Sequence, residues 1–207
     1  MRGLRRRLML FHDDSRAMLI VLGGLPGTGK TTIAREVVAR SPSVYLRIDA
    51  IEQALMQTRT VNEVGSSGYV IAYELARSNL ALGMRVVADC VNPLPVTRAA
   101  WRAVAASTSS DILEVEVVCS DSTEHRRRVE GREADIPGFA LPTWQAVVHH
   151  DYEAWTSPRL VIDSATCNPG AAAMLILNGA PLTSPASSPP LPTPDPENPT
   201  QVRAPRT

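Results

Sequence analysis

The chain has 207 residues, enough for one domain of ordinary size with a hydrophobic core. Its formal net charge is zero, which argues against a general polyanion binder but is compatible with a local basic site. Hydrophobic residues make up 44% and aromatic residues only 4%, so aliphatic side chains must fill the core.

Short apolar runs typical of β-strands alternate along the chain with longer segments of helical periodicity. The predicted strands are 18–23, 44–48, 85–89, 113–120 and 159–163. The predicted helices are 29–40, 50–57, 68–82, 95–107, 122–133, 143–155 and 169–178, with a loop containing Pro and Gly over 134–142. Five βα units with near-continuous apolar strands predict an α/β fold, in which a parallel sheet is covered by helices on both faces.

The pattern assigns residues 18–178 to one folded domain and leaves a segment at each end. Residues 1–17 are expected to form a disordered N-terminal extension. Residues 179–207 contain nine of the 17 prolines and are expected to be a disordered tail, a candidate docking element for a protein partner. The chain shows no secretory signal pattern, and no apolar run reaches the ~20 residues of a membrane span.

The three cysteines, Cys90, Cys119 and Cys167, are odd in number and show no C-x-x-C spacing. This usage indicates free thiols in a reducing compartment and predicts a cytoplasmic protein with no cysteine metal site.

The stretch GGLPGTGKTT, residues 23–32, contains Lys30, which is the only lysine of the chain. Residues 24–31 fit the pattern G-x-x-x-x-G-K-[ST] and lie between a predicted strand and a predicted helix, which is the context this phosphate-binding loop requires. Its backbone N–H groups would bind a triphosphate, Lys30 would reach the β- and γ-phosphates, and Thr31 would offer a hydroxyl oxygen to Mg²⁺. The predicted nucleotide site consists of Gly24, Leu25, Pro26, Gly27, Thr28, Gly29, Lys30, Thr31 and Thr32.

Three aspartates end predicted strands, at the sheet edge where ligands bind in such folds. Asp49 is a candidate base for a substrate hydroxyl, although its spacing to Glu52 also fits a helix-capping box. Asp89 ends the run VVAD and has the form of a carboxylate that orients Mg²⁺ through a bound water. Asp163 is interpreted as structural.

The stretch HRRRVEGR, residues 125–132, is an arginine-rich helix followed by the Pro/Gly loop, as a mobile lid would begin. Arg128 and Arg132 are four residues apart, so we expect them to share a helix face and to stabilise the transferring phosphoryl charge. The alternative is a solvated helix face on which Glu124 pairs with Arg128. Trp144 and Trp155, in the next predicted helix, are interpreted mainly as packing residues, and a substrate-stacking role for Trp144 stays open.

Taken together, GGLPGTGKTT, RID, VVAD with the following NP, the arginine helix and RLVID resemble the small bacterial P-loop kinases often labelled AAA-family ATPases. These group with gluconate, adenylylsulfate and polynucleotide 5′-hydroxyl kinases, chloramphenicol phosphotransferase and zeta toxins. The resemblance covers about residues 18–165. It implies a three-layer α/β/α P-loop NTPase fold with sheet order 2-3-1-4-5 and a helical lid. It further implies MgATP as donor, a hydroxyl acceptor, Asp49 and Asp89 as the two carboxylates, and Arg128 and Arg132 as lid arginines.

Three functions are compatible with these residues. The first is a kinase that transfers the γ-phosphoryl of MgATP to a small-molecule hydroxyl, with Lys30, Asp49, Arg128 and Arg132 as catalytic residues and Thr31 and Asp89 at the metal. The second is an ATP-binding or ATP-hydrolysing switch that regulates a protein partner, and here the proline-rich tail would dock. The third, a nucleic-acid 5′-hydroxyl kinase, is disfavoured because it needs a basic groove. GTP is disfavoured because the sequence lacks an N-K-x-D motif.

Overall fold

The computed structural model of the chain describes residues 17–58, 64–184 and 192. Within these residues the elements are, in chain order, β1 (Met18–Gly23), α1 (Lys30–Arg40), β2 (Val44–Arg47), α2 (Ile48–Gln57), α3 (Ser67–Ala81), β3 (Val86–Asp89), α4 (Pro95–Ser107), β4 (Asp111–Val118), α5 (Ser122–Gly131), α6 (Trp144–Val148), β5 (Leu160–Asp163) and α7 (Pro169–Leu177).

The five strands form one parallel sheet in the order β2-β3-β1-β4-β5. The strand order implied by the family resemblance is therefore confirmed. In the pairing of β1 with β3, Leu22 is opposite Asp89, which brings Asp89 beside the start of the glycine-rich loop. Ligands bind such sheets beyond the carboxyl ends of the strands, and all five strands end at that edge.

Alternate residues of β1 belong to two separate hydrophobic clusters, one on each face of the sheet. Ile20 and Leu22 pack with residues of α1 and α7, whereas Leu19 and Val21 pack with residues of α3 and α4. Burial on both faces explains why the sequence of β1 is continuously apolar. The central strand is therefore fixed on both sides, and the loop that follows it starts from a rigid point.

The structure corrects two predicted helices. The predicted helix 143–155 is helical only over Trp144–Val148. Beyond it, Tyr152 and Trp155 are buried, and Arg98 donates hydrogen bonds to the carbonyls of Glu153 and Ala154, which places this backbone against α4. The predicted helix 122–133 ends at Gly131.

A third hydrophobic cluster lies beside the glycine-rich loop and contains Leu25, Val129, Trp144, Val147, Tyr152 and Trp155. Trp144 and Trp155 are both buried in it, as expected for packing residues. Trp144 also contacts the ring of His125 edge-on, with the centroids 5.2 Å apart. This cluster attaches α5 and α6 to the loop.

Most of the two predicted terminal segments, 1–17 and 179–207, lies outside the described residues. Within the described part, Thr183 pairs with Arg159 through backbone hydrogen bonds, so the start of the predicted tail lies against the domain. All three cysteines are free; Cys90 and Cys119 are buried and Cys167 is partly exposed. None of the described helices has the length and apolar character needed to span a bilayer.

Candidate functional site

The loop between β1 and α1 depends on glycine at positions where no other residue fits without strain. Gly24, Gly27 and Gly29 have φ values of 138°, 85° and 93°. A Cβ atom on Gly24 would lie 2.2 Å from the carbonyl oxygen of Val117, and one on Gly27 would lie 2.4 Å from Cγ2 of Val129. The glycines thus permit a backbone conformation that turns the loop around the N-terminus of α1.

Lys30 is the first residue of α1, and its side chain turns back over the loop. Nζ donates a hydrogen bond of 2.8 Å to the carbonyl oxygen of Leu25. Burial lowers the pKa of Lys30, and the nearby carboxylates of Asp89 and Asp49 oppose this shift. The ammonium is therefore held within the loop beside two acidic groups.

Asp89 joins the loop to two neighbouring strands. Its carboxylate is only 3% exposed, and Oδ2 accepts hydrogen bonds of 2.8 Å from the hydroxyls of both Thr31 and Tyr45. Tyr45, on β2, was not among the predicted site residues. Oδ1 accepts no hydrogen bond from the described residues. The Thr31 hydroxyl and the Asp89 carboxylate supply the hard oxygen donors that Mg²⁺ prefers, so the donor set fits that ion.

Asp49 lies in the first turn of α2, and not in the capping position that the capping-box alternative assumed. The residue before the helix is Arg47, and no side-chain capping bond is present at this end. Burial raises the pKa of Asp49, although Lys30 opposes the shift. Its carboxylate makes no hydrogen bond with described residues, so its lone pairs are available to a ligand.

Glu52 follows Asp49 by one helical turn and forms a second acidic group on α2. Burial and the charge of Asp49 raise the pKa of Glu52 to about 7. A Cβ atom on Gly68 would lie 2.3 Å from Cγ of Glu52, so the start of α3 packs directly on this side chain. Glu52 is therefore protonated in part of the molecules near neutral pH.

The two predicted lid arginines occupy different surroundings. Arg128 donates from Nε to Glu124 at 2.7 Å, as the alternative predicted, and from its terminal nitrogens to Ser164 at 2.9 and 3.1 Å. Arg132 follows the last residue of α5 and is extended, with ψ of 146°. The prediction that both share one helix face was therefore wrong, because the helix ends at Gly131.

His125 attaches the arginine helix to the phosphate loop, a role that the sequence did not reveal. Its Nε2 lies 2.8 Å from the carbonyl oxygen of Pro26, and burial lowers the pKa of the ring. A neutral imidazole with the proton on Nε2 donates to that carbonyl. Helix α5 is thus attached to the loop at one end and carries Arg128 at the other.

A cleft of about 720 Å³ brings most of the predicted site residues together. Its walls come from the phosphate loop, the ends of β2 and β3, helix α5, and residues 132–142, which we call the lid segment. The predicted residues in this lining are Pro26, Gly27, Gly29, Lys30, Thr31, Thr32, Asp49, Asp89, Arg128 and Arg132. Gly24, Leu25 and Thr28 are not in it; Thr28 is buried and donates to the Leu25 carbonyl inside the loop.

A second cleft of about 450 Å³ lies on the other side of Arg128, which lines both. It is bounded by Gly29, Thr32, Ile33 and residues 164–169, the loop after β5. Asp163 shapes this loop, since it accepts hydrogen bonds of 3.0 Å from the backbone N–H groups of Ser120 and Ala165, in agreement with a structural role. The sequence carried no signal for this cleft, because its walls come from parts of the chain that are far apart in sequence.

The lid segment is held across the mouth of the larger cleft by polar contacts. Oδ2 of Asp135 accepts hydrogen bonds from Arg35 at 2.6 Å and from Arg47 at 2.8 Å. The carbonyl of Pro137 accepts from the amides of Gln53 at 3.3 Å and Gln57 at 3.1 Å. These contacts link α1, β2 and α2 to a segment about eighty to a hundred positions later in the chain.

The sequence profile of a family described as AAA domain matches residues 19–148, more than half of the chain. The chain belongs to this AAA-domain family. No curated protein matches it in sequence.

Three solved structures with a similar fold are distant in sequence from this AAA-domain chain. The APS kinase CysC of Mycobacterium tuberculosis, solved with AMPPNP and APS, is 20% identical with a TM-score of 0.58, over 79% of this chain and 96% of that one. Kti12 of Chaetomium thermophilum, solved with ADP-AlF3, is 19% identical with a TM-score of 0.59, over 78% and 96%. A gluconokinase of Sinorhizobium meliloti is 16% identical with a TM-score of 0.53, over 76% and 91%. At these identities the similarity shows the P-loop NTPase fold.

The AAA-domain chain therefore combines in one cleft a phosphate loop, the hydrogen-bonded pair Thr31 and Asp89, and the Asp49 carboxylate, which has no hydrogen-bond partner among the described residues. The family and the fold both support nucleotide binding at this loop. The second cleft adjoins the first, since Gly29, Thr32 and Arg128 line both.

Proposed function

We propose that this AAA-domain chain is a kinase that transfers the γ-phosphoryl group of MgATP to a hydroxyl group of a small molecule. The observation that carries the proposal is the position of Asp49. This carboxylate lines the same cleft as Lys30, Thr31 and Asp89, and no described residue uses its oxygens. A base for an acceptor hydroxyl needs such a position, within reach of the phosphoryl group and free of structural duties.

Each residue has a distinct part in the proposed reaction. The loop backbone and Lys30 hold the β- and γ-phosphates, while Thr31 and Asp89 would hold Mg²⁺, which lowers the charge on the phosphate oxygens. Arg128 and Arg132 stabilise the charge that moves with the phosphoryl group. The bond from the acceptor oxygen to the γ-phosphorus forms, the bond to the β,γ-bridging oxygen breaks, ADP leaves, and Asp49 accepts the hydroxyl proton.

The second cleft is the proposed site of the nucleotide base. It continues from the phosphate loop past Thr32 to residues 164–169, the direction in which the rest of the nucleotide must extend from its phosphates. Arg128 stands between the two clefts, where it can contact the phosphates while it keeps its bonds to Ser164.

The proposal is tested by measuring ADP release from MgATP by the purified full chain, with and without a small-molecule extract of the host cells. Lys30→Ala is the blank. Release that rises with extract, and requires Lys30, supports the kinase, and fractionation of the extract then isolates the acceptor. Release that is equal with and without extract would instead favour an ATPase or a nucleotide-dependent switch.

The competing switch function makes a different prediction about the tail. In a switch that docks a partner through the proline-rich residues, removal of residues 185–207 abolishes partner binding. In a kinase, the same truncation leaves extract-dependent turnover intact, because the clefts are formed by residues 26–169.

A further inference from the structure

Two arginines from different elements converge on a single oxygen atom in the larger cleft. Arg35 lies on α1 and Arg47 ends β2, and both donate to Oδ2 of Asp135, at 2.6 and 2.8 Å. We infer that Arg35 and Arg47 form a binding site for an anionic group on the phosphoryl acceptor, and that Asp135 of the lid segment fills this site when no acceptor is bound. The inference rests on the proposed kinase function and specifies its substrate class: a hydroxyl compound that carries a phosphate, sulfate or carboxylate.

The hydrogen bonding of Arg47 is incomplete, which is the first argument for an external ligand. The side chain is only 11% exposed, and its Nε is buried with no hydrogen-bond partner among the described residues. Nε lies 3.9 Å from Oδ2 of Asp89, too far for a hydrogen bond. A buried guanidinium with an N–H group that makes no hydrogen bond is costly. An oxyanion with two or three oxygen atoms can accept hydrogen bonds from several of its N–H groups at once.

Asp135 satisfies this pair of arginines only in part. A single oxygen, Oδ2, accepts both bonds, and Oδ1 accepts none from the described residues. The two arginines lower the pKa of Asp135 to about 2, so the group is an anion at any working pH. A phosphate, sulfate or carboxylate presents the same kind of oxygen to the same donors, and this shared chemistry makes Asp135 an internal substitute for a ligand.

The contact is built so that it can be exchanged. The side chain of Asp135 is 43% exposed and that of Arg35 is 58% exposed, so this pair is open to solvent and worth little by itself. The lid segment also accepts two hydrogen bonds from side chains of α2, at the Pro137 carbonyl, with lengths of 3.1 and 3.3 Å. An anion that takes over the bond to Arg47 can therefore displace Asp135 at little cost, whereas Arg47, only 11% exposed, stays in place at the end of β2.

The location of the pair connects it to the acceptor and not to ATP. Arg47 immediately precedes the helix that carries Asp49, the proposed base, and both line the larger cleft. The base pocket proposed for ATP lies on the opposite side of Arg128 and contains neither Arg35 nor Arg47. An acceptor anchored at these arginines by its anionic group would present a hydroxyl toward Asp49.

The test measures anion binding without turnover, so its outcome does not depend on whether the chain is a kinase. The full chain is saturated with MgAMPPNP to fill the phosphate loop, and then titrated by calorimetry with potassium sulfate, phosphate or acetate at constant ionic strength. Asp135→Ala removes the internal competitor and is expected to bind at least one of these anions about fivefold tighter than the unsubstituted chain, because the fraction of open sites rises. The anion whose affinity increases most in Asp135→Ala indicates which anionic group the acceptor carries.

Glu133→Ala is the matched control. Glu133 lines the same cleft and its removal deletes the same charge, but among the described residues it accepts no hydrogen bond from either arginine. It should change anion affinity less than about twofold. Arg47→Gln in the Asp135→Ala background should abolish the gain, and Arg35→Gln, at an exposed position, provides the same test if Arg47→Gln does not fold. Equal effects of Asp135→Ala and Glu133→Ala, or a gain that survives loss of both arginines, would overturn the inference.

A second readout separates this inference from the kinase proposal. The acceptor activity of the cell extract is passed over an anion-exchange resin at neutral pH, and we expect it to be retained. An acceptor that passes through unretained would refute the anionic subsite while leaving the kinase function intact.

Discussion

The Thr31 hydroxyl donates a hydrogen bond of 2.8 Å to Oδ2 of Asp89, which joins the last residue of the phosphate-loop motif to the end of the neighbouring strand. The contact follows from the sheet order, because β3 lies beside β1 and Asp89 is in register with Leu22, just before the loop. The two groups that the sequence assigned to Mg²⁺ from separate motifs, 58 positions apart, thus lie together.

The first prediction concerns this pair. Asp89→Asn should raise the Mg²⁺ concentration needed for half-maximal ADP release by about 10- to 100-fold, because an oxygen donor at the metal position becomes neutral. Tyr45→Phe removes the hydrogen bond from Tyr45 to Asp89 but keeps the carboxylate. It should change the Mg²⁺ concentration needed for half-maximal ADP release by less than about tenfold. Titration of Mg²⁺ at fixed ATP measures both. An unchanged Mg²⁺ requirement in Asp89→Asn would exclude this residue from the metal site.

The second prediction concerns Asp49. Asp49→Asn should lower kcat about 10²- to 10⁴-fold while the KM for ATP changes little, because the carboxylate acts on the acceptor. Burial raises the pKa of Asp49 above its ordinary 3.8, so the kcat of the unsubstituted chain should fall as the pH decreases through that raised pKa. The corresponding acid limb should be absent in Asp49→Asn. The pH profile is measured with the acceptor fraction from the extract, and equal turnover by both proteins would remove the proposed base.

The third prediction compares two glycines. Gly27→Ala should weaken nucleotide binding and destabilise the fold by about 1–3 kcal/mol, since φ is 85° and the new methyl group would lie 2.4 Å from Val129. Gly131→Ala, at the end of α5 with nothing within 4 Å of the new methyl group, should be neutral or stabilise by about 0.5 kcal/mol. Urea unfolding and titration with a fluorescent ATP analogue provide the two readouts. Similar losses of stability and of nucleotide affinity in both variants would contradict the difference between the surroundings of Gly27 and Gly131.

The fourth prediction concerns Glu52 and stability. Its pKa is raised from 4.5 to about 7, so the folded chain holds this proton more tightly than the unfolded chain does. The linked stability is fully present below pH 4.5 and is lost as the pH rises through about 7. The difference in the free energy of unfolding between Glu52→Gln and the unsubstituted chain should therefore shift in favour of Glu52→Gln by about 1 kcal/mol between pH 5 and pH 8. This figure is reduced because Glu52 is partly exposed to solvent. Urea midpoints at the two pH values measure this, with the exposed Glu74→Gln as control.

The phosphate loop could be predicted from sequence because its chemistry is local: glycines, Lys30 and Thr31 lie within eight consecutive positions between a strand and a helix. β1 and β3 were predicted to within one residue, because burial on both faces makes them continuously apolar. β4, predicted over 113–120, instead spans Asp111–Val118 and contains two glutamates. The sheet order was expected only from the family resemblance, since no residue pattern alone fixes which strands are neighbours.

The features that the sequence did not reveal all depend on distant contacts. The helix predicted over 143–155 stops at Val148, and Arg98, more than fifty positions earlier, binds two backbone carbonyls in the part that is not helical. Arg35 and Asp135 are 100 positions apart, and neither belongs to a recognisable motif. The second cleft likewise forms where Gly29, Thr32 and Ile33 meet residues 164–169, which are far away in the sequence.

The single lysine makes the phosphate loop a unique target for chemical labelling. An amine-reactive acylating reagent finds only Nζ of Lys30 and the terminal amine of the chain, and the lowered pKa of Lys30 increases the share of the reactive neutral form. Mass spectrometry of the peptide that contains Lys30 separates this label from the one on the terminal amine, so the acylated fraction of that peptide reports the share of empty loops. Protection by each candidate nucleotide can be ranked in this way without knowledge of the acceptor.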